Sequence, residues 1–416
     1  MEKIGIGMIG LGTVGQGVLD KINKKNELNL QVKKIAVRDL SKKRKISLEN
    51  TLTDKIENVV DNKEINIVVE VAGGNQVLPY LIHALESGKH VVTANKALLA
   101  EKGAELSQAA KKGNANLYFE ASVGGGIPII NQLYSGFSKD QVNEITGIVN
   151  GTCNFVLGQM EKGKSFEDAV KDAQEKGFAE ADPTADVDGH DAAQKLSIIT
   201  SLAFGKMVPT NKIHTEGIRK ITQSDIKYAK ENNYAIKLIA VAKKTKGKIE
   251  ARVNPTMIPQ GSILANVKNE QNAFEVKSQS RNHVYIGEGA GQKPTASAVA
   301  DDIMNLAKHI TQRTLPKTQY FEIAKAEEIG STEDLEFDYY LRFSAENKPG
   351  VLAKIATKLY ESNINIEKVT QDAKKKEKTS VKIIISHTKE KDLKKATEAL
   401  NKIPNVKLEN SIKFEP

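Results

Sequence analysis

One cysteine, Cys153, stands in 416 residues, so no internal disulfide can form, which agrees with a reducing cytoplasm. No apolar run reaches about eighteen residues, so no membrane-spanning helix is expected. No export signal is expected, since "MEKIGIGMIG" enters an apolar run without a charged leader or a cleavage site. The expectation is a soluble, cytoplasmic protein. No Cys/His spacing suggests a metal centre. Aromatic residues amount to 5% of the chain, and none stud a basic strand in the manner of an RNA platform. The formal charge of +9 therefore does not point to nucleic acid. Lysine alternates with glutamate, as in "DKIENVVDNKEIN", the mixture of a solvated surface.

What the chain does hold is a succession of distinct rhythms, over a length that calls for two or three folding units. First, apolar strands ("KIGIGMIG", "VKKIAVRD", "INIVVEVAGG", "HVVTANK") alternate with helical stretches ("VGQGVLDKINKK", "QVLPYLIHALESG"), the grammar of a parallel, doubly wound α/β sheet. After residue 130 two helical stretches lead into "YAIKLIAVAKK", "KIEARVNPTMI", "AFEVKS" and "HVYIGEG", strands close enough in sequence for an antiparallel or mixed sheet in a second, α+β unit. "TASAVADDIMNLAKHI" is an amphipathic helix whose glycine-rich entry "GEGAGQKP" suggests a return to the first unit. A polar connector follows, and from Asp338 onward the elements succeed one another as βαββαβ. The expected domains are 1–130 plus 287–312, 131–286, a linker at 313–337 and a tail domain at 338–416.

"GLGTVG" completes the GxGxxG pattern directly after a strand and opens a helix, the placement of a Rossmann-type nucleotide-binding turn. Gly10 permits the tight turn, Gly12 lets the backbone approach a pyrophosphate and Gly15 brings helix against strand, with Leu11, Thr13 and Val14 between them. At the end of the second strand Arg38 precedes Asp39 and the basic run "SKKRK". A guanidinium there can pair with a 2′-phosphate, so NADP is favoured, while Asp39 leaves NAD possible.

"GFAEADPTADVDGHDAAQK" gathers carboxylates ahead of one lysine. Pro183 stops any helix continuing from Gly177, and Asp186 or Asp188 is expected to cap a new helix whose apolar positions include Leu196, Ile199, Leu202 and Ala203. Asp191 and Lys195 are four apart and share one face of that helix. Spacing leaves two readings open: a surface ion pair worth about 0.3–0.5 kcal/mol, or a functional pair at a cleft mouth.

The pattern A-x3-G-F-A-E-A-D-P-x2-D-V-x-G-x-D-x3-K, from Ala173 to Lys195, resembles the signature of the homoserine dehydrogenase family. "TANKALLA" near Lys96, "FEASVGGGIPII" near Glu120, "NGTCNF" near Asn150 and "GEGAGQKPTASAV" near Gly291 resemble further segments of that family in the expected order, and the tail is similar to the ACT domain of its longer form. The resemblance implies an oxidoreductase acting on a CH–OH group. The reaction is NAD(P)-linked interconversion of L-aspartate 4-semialdehyde and L-homoserine, in threonine, methionine and isoleucine biosynthesis. It implies Lys195 as the acid/base lysine and Lys96 as a second catalytic lysine near nicotinamide and substrate. Asp191 would orient Lys195 or bind the substrate hydroxyl, Glu180 would receive the substrate ammonium, and Asp186 would bind substrate or only cap the helix. Gly177 and Gly291 match positions touching the cofactor. Backbone carbonyls matching Glu120, Val123, Gly125 and Ile127 would hold a monovalent cation such as sodium. His190 falls at a position that the signature leaves free and is read as a surface histidine. Cys153 departs from the threonine of the family's "NGTTN" and is read as a packing residue.

Two other classes are kept. A phosphate-dependent semialdehyde dehydrogenase requires a nucleophilic cysteine, for which Cys153 is the candidate, although "GTCN" offers no evident activating neighbour. A non-catalytic amino-acid sensor would use the same folds as binding modules. The βαββαβ order and the turn "ENKPGVLAKI" resemble an ACT domain, a fold that binds amino acids, so either L-threonine binds between Asn347 and Leu352 or the tail is a purely structural dimerisation module. A homodimer or homotetramer is expected, since ACT domains commonly pair between chains.

Overall fold

The strand β1 (Ile4–Ile9) is buried along its whole length, as a parallel strand covered on both faces must be. The computed structural model describes residues 3–24, 28–42, 51–137, 140–316, 321–371 and 377–415. Beside β1 lie β2 (Leu30–Ala36), β3 (Leu52–Thr53), β4 (Ile67–Glu70), β5 (His90–Thr93) and β6 (Leu117–Tyr118), all parallel, in the order β3-β2-β1-β4-β5-β6. That is the strand order of a dinucleotide-binding sheet, and the direction of winding reverses between β1 and β4. The crevice beyond the carboxyl ends of those two strands is where such folds take their ligand. Helices α1 (Thr13–Lys24), α2 (Glu57–Val60), α3 (Leu78–Glu86) and α4 (Lys96–Lys112) make the crossovers.

The chain then leaves this sheet through the short α5 (Ile129–Asn131) and enters a second one at β7 (Val142–Ile148). Helices α6 (Gly151–Glu161), α7 (Phe166–Glu175), α8 (Thr184–Val187) and α9 (His190–Phe204) follow, then the two-residue strands β8 (Lys206–Met207) and β9 (His214–Thr215) and helix α10 (Gln223–Glu231). The long hairpin β10 (Tyr234–Thr245) and β11 (Lys248–Pro259) pairs with β7 through β10, and β12 (Gln271–Ser278) with β13 (Asn282–Glu288) extends the sheet on the far side of β7. Leu196, Ile199 and other apolar residues of α9 share one core with Ile236, Leu238 and Ala240 of β10. Helix α11 (Gln292–Gln312) returns to the first sheet, where Val299, Ile303 and Leu306 pack with Val18 and Leu19 of α1.

The connector after α11 is held down rather than loose. Phe321 is buried, β14 (Glu322–Ile323) pairs with β8, and the Gly330 amide donates to the Ile249 carbonyl at 2.8 Å. The tail has the ferredoxin-like order of an ACT domain: β15 (Glu336–Glu346), α12 (Val351–Glu361), β16 (Asn365–Gln371), β17 (Lys378–Lys389), α13 (Glu390–Leu400) and β18 (Val406–Phe414), paired as β18-β15-β17-β16. Ile355 and Leu359 of α12 and Leu393 and Leu400 of α13 close its core over Leu341, Phe343 and Ile383. Its β18 edge also pairs in parallel with β11, Thr256 opposite Lys413 and Met257 opposite Phe414. One sheet therefore runs through both units. Among the described residues no helix is long and apolar enough to cross a membrane.

Candidate active site

The nucleotide crevice is built from the turn after β1. Gly10 has φ +98°, and a Cβ there would lie 2.7 Å from the Ala72 nitrogen, so only glycine fits. A Cβ on Gly12 would meet nothing within 4 Å. That face of the turn opens onto a cleft of about 660 Å³, whose walls include Leu11, Val37, Arg38, Lys42 and Val71. A pyrophosphate fits against the bare Gly12 backbone and the first amides of α1, which begins with Thr13 and Val14 and packs closely through Gly15. Arg38 is exposed on the cleft wall, while Asp39 accepts from the Ser41 amide at 2.8 Å and the Ser41 hydroxyl at 2.6 Å. Lys43, Arg44 and Lys45 of the basic run lie outside the described residues. Gly291, with φ +125°, introduces α11, and the neighbouring Gln292 amide donates to the Thr13 carbonyl at 3.2 Å, so the returning segment touches the glycine turn.

Glu70, at the end of β4, is fully buried and accepts from the Ala72 and Gly73 amides at 2.9 and 2.8 Å and from the Thr93 hydroxyl at 2.6 Å. It ties the crevice floor to the end of β5. There Asn95 caps α4 by accepting from the Leu98 amide and donates to the Gly74 carbonyl. The cap sets Lys96 on the first turn of α4, pointing out of the nucleotide unit toward α9.

On α9 the two residues four apart meet it. Asp191 Oδ1 accepts from Lys96 Nζ, and Asp191 Oδ2 lies 2.9 Å from Lys195 Nζ. Lys195 Nζ also donates to the Val149 carbonyl at 2.7 Å, an oxygen that receives the Asn272 amide at 2.9 Å as well. Asn150, the N-cap of α6, extends its amide to Asp191 Oδ2 at 2.8 Å and to Asp186 Oδ1 at 2.6 Å. Burial works against ionisation of Asp191, but the Lys195 and Lys96 ammoniums outweigh it and hold the carboxyl below the usual range. Asp186 goes the other way: burial, with the Asp191 charge, raises its carboxyl although the Asn150 bond opposes the shift. Lys195 and Asp191 are buried and Lys96 partly open, so the surface-pair reading of Asp191 and Lys195 is excluded.

Other expectations are corrected. Neither Asp186 nor Asp188 caps α9: its N-cap is Gly189, left-handed at φ +84° and without a side-chain cap bond, because Asp186 is committed to Asn150 and Asp188 to Arg219. Cys153 is fully buried, its thiol donates to the Asp186 carbonyl at 3.2 Å, and burial pushes it well above the usual thiol range. Such a sulfur is no nucleophile, which removes the cysteine-dependent alternative. Glu180 is exposed between α7 and α8, and among the described residues its carboxylate makes no hydrogen bond to the lysine cluster. Gly177 is the left-handed residue just beyond α7, at φ +75°.

After β6 the chain makes a turn through Gly124 and Gly125, both at positive φ. The Glu120 carboxylate points inward and accepts from the Ile130 and Asn131 amides at 2.9 and 2.7 Å, while its own amide donates to Asp302 at 2.9 Å. Burial pushes the Glu120 carboxyl up to about 7 and Asp302 well above its usual range. Within the turn the Gly124 carbonyl accepts from the Ile127 amide at 2.9 Å and the Ile127 carbonyl from the Ile129 amide at 2.7 Å.

A dinucleotide crevice facing two lysines and a shared carboxylate defines a nicotinamide-dependent oxidoreductase acting on a CH–OH group. Family models agree: homoserine dehydrogenase over residues 128–304, homoserine dehydrogenase NAD binding domain over 10–120 and ACT domain over 339–405. The chain is 40% identical over 415 residues to a homoserine dehydrogenase of Neisseria gonorrhoeae strain ATCC 700825 / FA 1090, covering 96% of this chain and 95% of the relative. It is 39% identical over 418 residues to that of Bacillus subtilis strain 168, with 96% and 95% covered. A solved homoserine dehydrogenase from Thiobacillus denitrificans superposes with a TM-score of 0.90 at 37% identity, covering 100% of this chain and 99% of that one. A hyperthermophilic archaeal homoserine dehydrogenase in complex with NADPH matches with a TM-score of 0.65 at 27% identity, over 76% of this chain and 99% of that one. The chain belongs to the homoserine dehydrogenase family, which leaves the sensor alternative without support.

Proposed function

We propose that, in the family's interconversion of L-aspartate 4-semialdehyde and L-homoserine, Lys195 handles the proton and Asp191 and Lys96 position it. The observation that carries this reading is that one carboxylate, Asp191, is gripped by Lys96 from the nucleotide unit and by Lys195 from the substrate unit. Hydride transfer is the chemistry supplied by a bound nicotinamide. In reduction, the Lys195 ammonium gives a proton to the aldehyde oxygen as it becomes an alkoxide, and in oxidation the amine takes that proton from the substrate hydroxyl. Val149 O and Asp191 Oδ2 hold Nζ in place for both. Asp186 and Asn150 lie beside the lysine pair as its polar surroundings, and Glu180, on its open loop, is the acceptor for the substrate ammonium. Lys195→Ala is expected to lower kcat by about 10²–10⁴-fold while cofactor binding survives, read from nicotinamide absorbance and a binding titration. Full turnover in that variant would remove Lys195 from the proton step.

NADP is the preferred cofactor in this reading, supported by Arg38 and Lys42 on the cleft wall and by the turning of Asp39 onto Ser41. Gly177 and Gly291 are assigned to the cofactor side of the cleft. A monovalent cation such as sodium sits on the carbonyls of Glu120, Val123, Gly125 and Ile127; main-chain oxygens suit a hard cation, and the inward turn of the Glu120 carboxylate supports it. L-Threonine is the effector of the ACT unit, bound near Asn347 to Leu352. The left-handed Gly350, which caps α12, supports this, as does the placing of Asn347 by its amide bond to the Glu377 carbonyl. The protein works as a homodimer or homotetramer in the cytoplasm, the latter supported by its single cysteine.

A further inference from the structure

Asn150 stands where β7 passes into α6, and its extended backbone, φ −124° and ψ 110°, is that of an N-cap. Its Oδ1 accepts from the Cys153 amide at 2.8 Å, which is all that capping requires. The amide nitrogen does something else. Nδ2 donates to Asp186 Oδ1 at 2.6 Å and to Asp191 Oδ2 at 2.8 Å, and that same Asp191 oxygen lies 2.9 Å from Lys195 Nζ. The amide cannot be reversed, since reversal would set its oxygen against two carboxylates and its own N–H groups against the Cys153 amide. By contrast Asn95, the cap of α4, gives its side-chain amide to a main-chain oxygen, that of Gly74. Asn150 is 3% exposed, so solvent does not compete for its hydrogens.

Two carboxylates turned onto one –NH2 repel each other, and Lys96 and Lys195 balance them with two ammoniums. The titratable groups around the amide are Asp186 and Asp188 of α8, Asp191 and Lys195 of α9, Lys96 of α4 and the Cys153 thiol of α6, and Asp188 is taken by Arg219. Against the burial that raises the Asp186 carboxyl, the Asn150 bond is the leading opposing effect. We propose that Asn150 is a positioning residue for the proton step: it fixes Asp186 and Asp191 relative to each other and, through the shared Asp191 oxygen, holds Lys195 Nζ between Asp191 and the Val149 carbonyl. Among good helix caps only asparagine offers two hydrogens beside its accepting oxygen. The inference rests on the assignment of the proton to Lys195.

Capping and positioning are separable, because aspartate caps a helix as well as asparagine does but cannot donate to two carboxylates. The test is the pH profile of homoserine oxidation by the full-length protein, followed by nicotinamide absorbance. In that direction Lys195 must be the amine, so kcat rises with pH as the ammonium loses its proton. A carboxylate introduced by Asn150→Asp favours the ammonium of Lys195 and the protonated form of Asp186 alike. The rising limb is therefore expected to move up by about one pH unit or more, with kcat/KM for homoserine lowered about tenfold or more and the KM for NADP unchanged. Asn150→Ser keeps a capping oxygen and adds no charge, but its single hydroxyl hydrogen serves only one carboxylate. It is expected to lower kcat/KM for homoserine about tenfold, again with the KM for NADP unchanged, and it decides the matter where Asn150→Asp fails to fold. A rising limb at the wild-type pH in folded Asn150→Asp overturns the proposal and leaves Asn150 a cap. So does a wild-type kcat/KM in Asn150→Ser when the first variant does not fold. Full turnover in Lys195→Ala would instead sink the assignment of the proton, whereas lost turnover there beside an unmoved limb in Asn150→Asp sinks this inference alone.

Discussion

Arg38 and Asp39 stand together at the mouth of the nucleotide cleft, but Asp39 is drawn onto Ser41 while the Arg38 side chain is exposed on the wall. Arg38→Ala is therefore expected to raise the KM for NADP by about tenfold or more and that for NAD by much less, since only NADP carries a phosphate for a guanidinium to clasp. Equal losses for both cofactors in steady-state assays would put the contact in doubt. At this scale the sequence was legible where function rests on local spacing. Asp191 and Lys195 are one helical turn apart, and Gly10 to Gly15 form a contiguous turn. It was opaque where a role is assembled across the chain. Asn150 could be read as the residue before a helix, yet its bonds to Asp186 and Asp191 span 36 and 41 positions. Asn272 reaches Val149 across 123 positions, and Thr93 reaches Glu70 across 23. No local pattern announces such partners.

Among the elements, the turn from Glu120 to Ile127, which joins β6 to α5, carries the proposed cation site. With the Glu120 carboxylate occupied by two amides, the proposed cation would meet main-chain oxygens, which a large organic cation cannot approach. Exchange of sodium for choline is expected to lower turnover roughly several-fold at constant ionic strength, with recovery on adding sodium back. A rate indifferent to that exchange would empty the turn of this role. The long strands and amphipathic helices were readable from their periodicity. The two-residue strands β8, β9 and β14 were not, because each is defined only by a partner supplied from elsewhere. The start of α9 was misjudged for a related reason. Asp186 and Asp188 are good caps by type, but tertiary partners claim both, and a left-handed glycine takes the position.

For the whole molecule, the tail is bound to the rest by more than a linker. Arg342 of β15 holds the fully buried Asp225 of α10 through two bonds, at 2.7 and 3.2 Å, and also donates to the Lys220 carbonyl. The neighbouring Arg219 binds Asp188, next to the start of α9. L-Threonine bound in the tail, as proposed, would have contacts through which to act on the lysine cluster. Sedimentation of the intact protein is expected to give a dimer or tetramer, and calorimetry to give saturable heat with L-threonine together with lowered turnover. A monomer, or no heat, would remove the corresponding part of the reading. The βαββαβ order was legible in the sequence, but the joining of β18 to β11 was not, since two facing residue pairs leave no mark on composition. That joint also sets a timetable. A nascent chain leaving the ribosome presents β11 long before β18 has been made, and the edge at Thr256 and Met257 stays bare while α11, the connector and most of the tail are still being synthesised. An uncovered edge is an invitation to any other strand. Completion of the catalytic unit's sheet is therefore a late event in the life of each chain, governed by the pace of translation as well as by the strength of the final contacts.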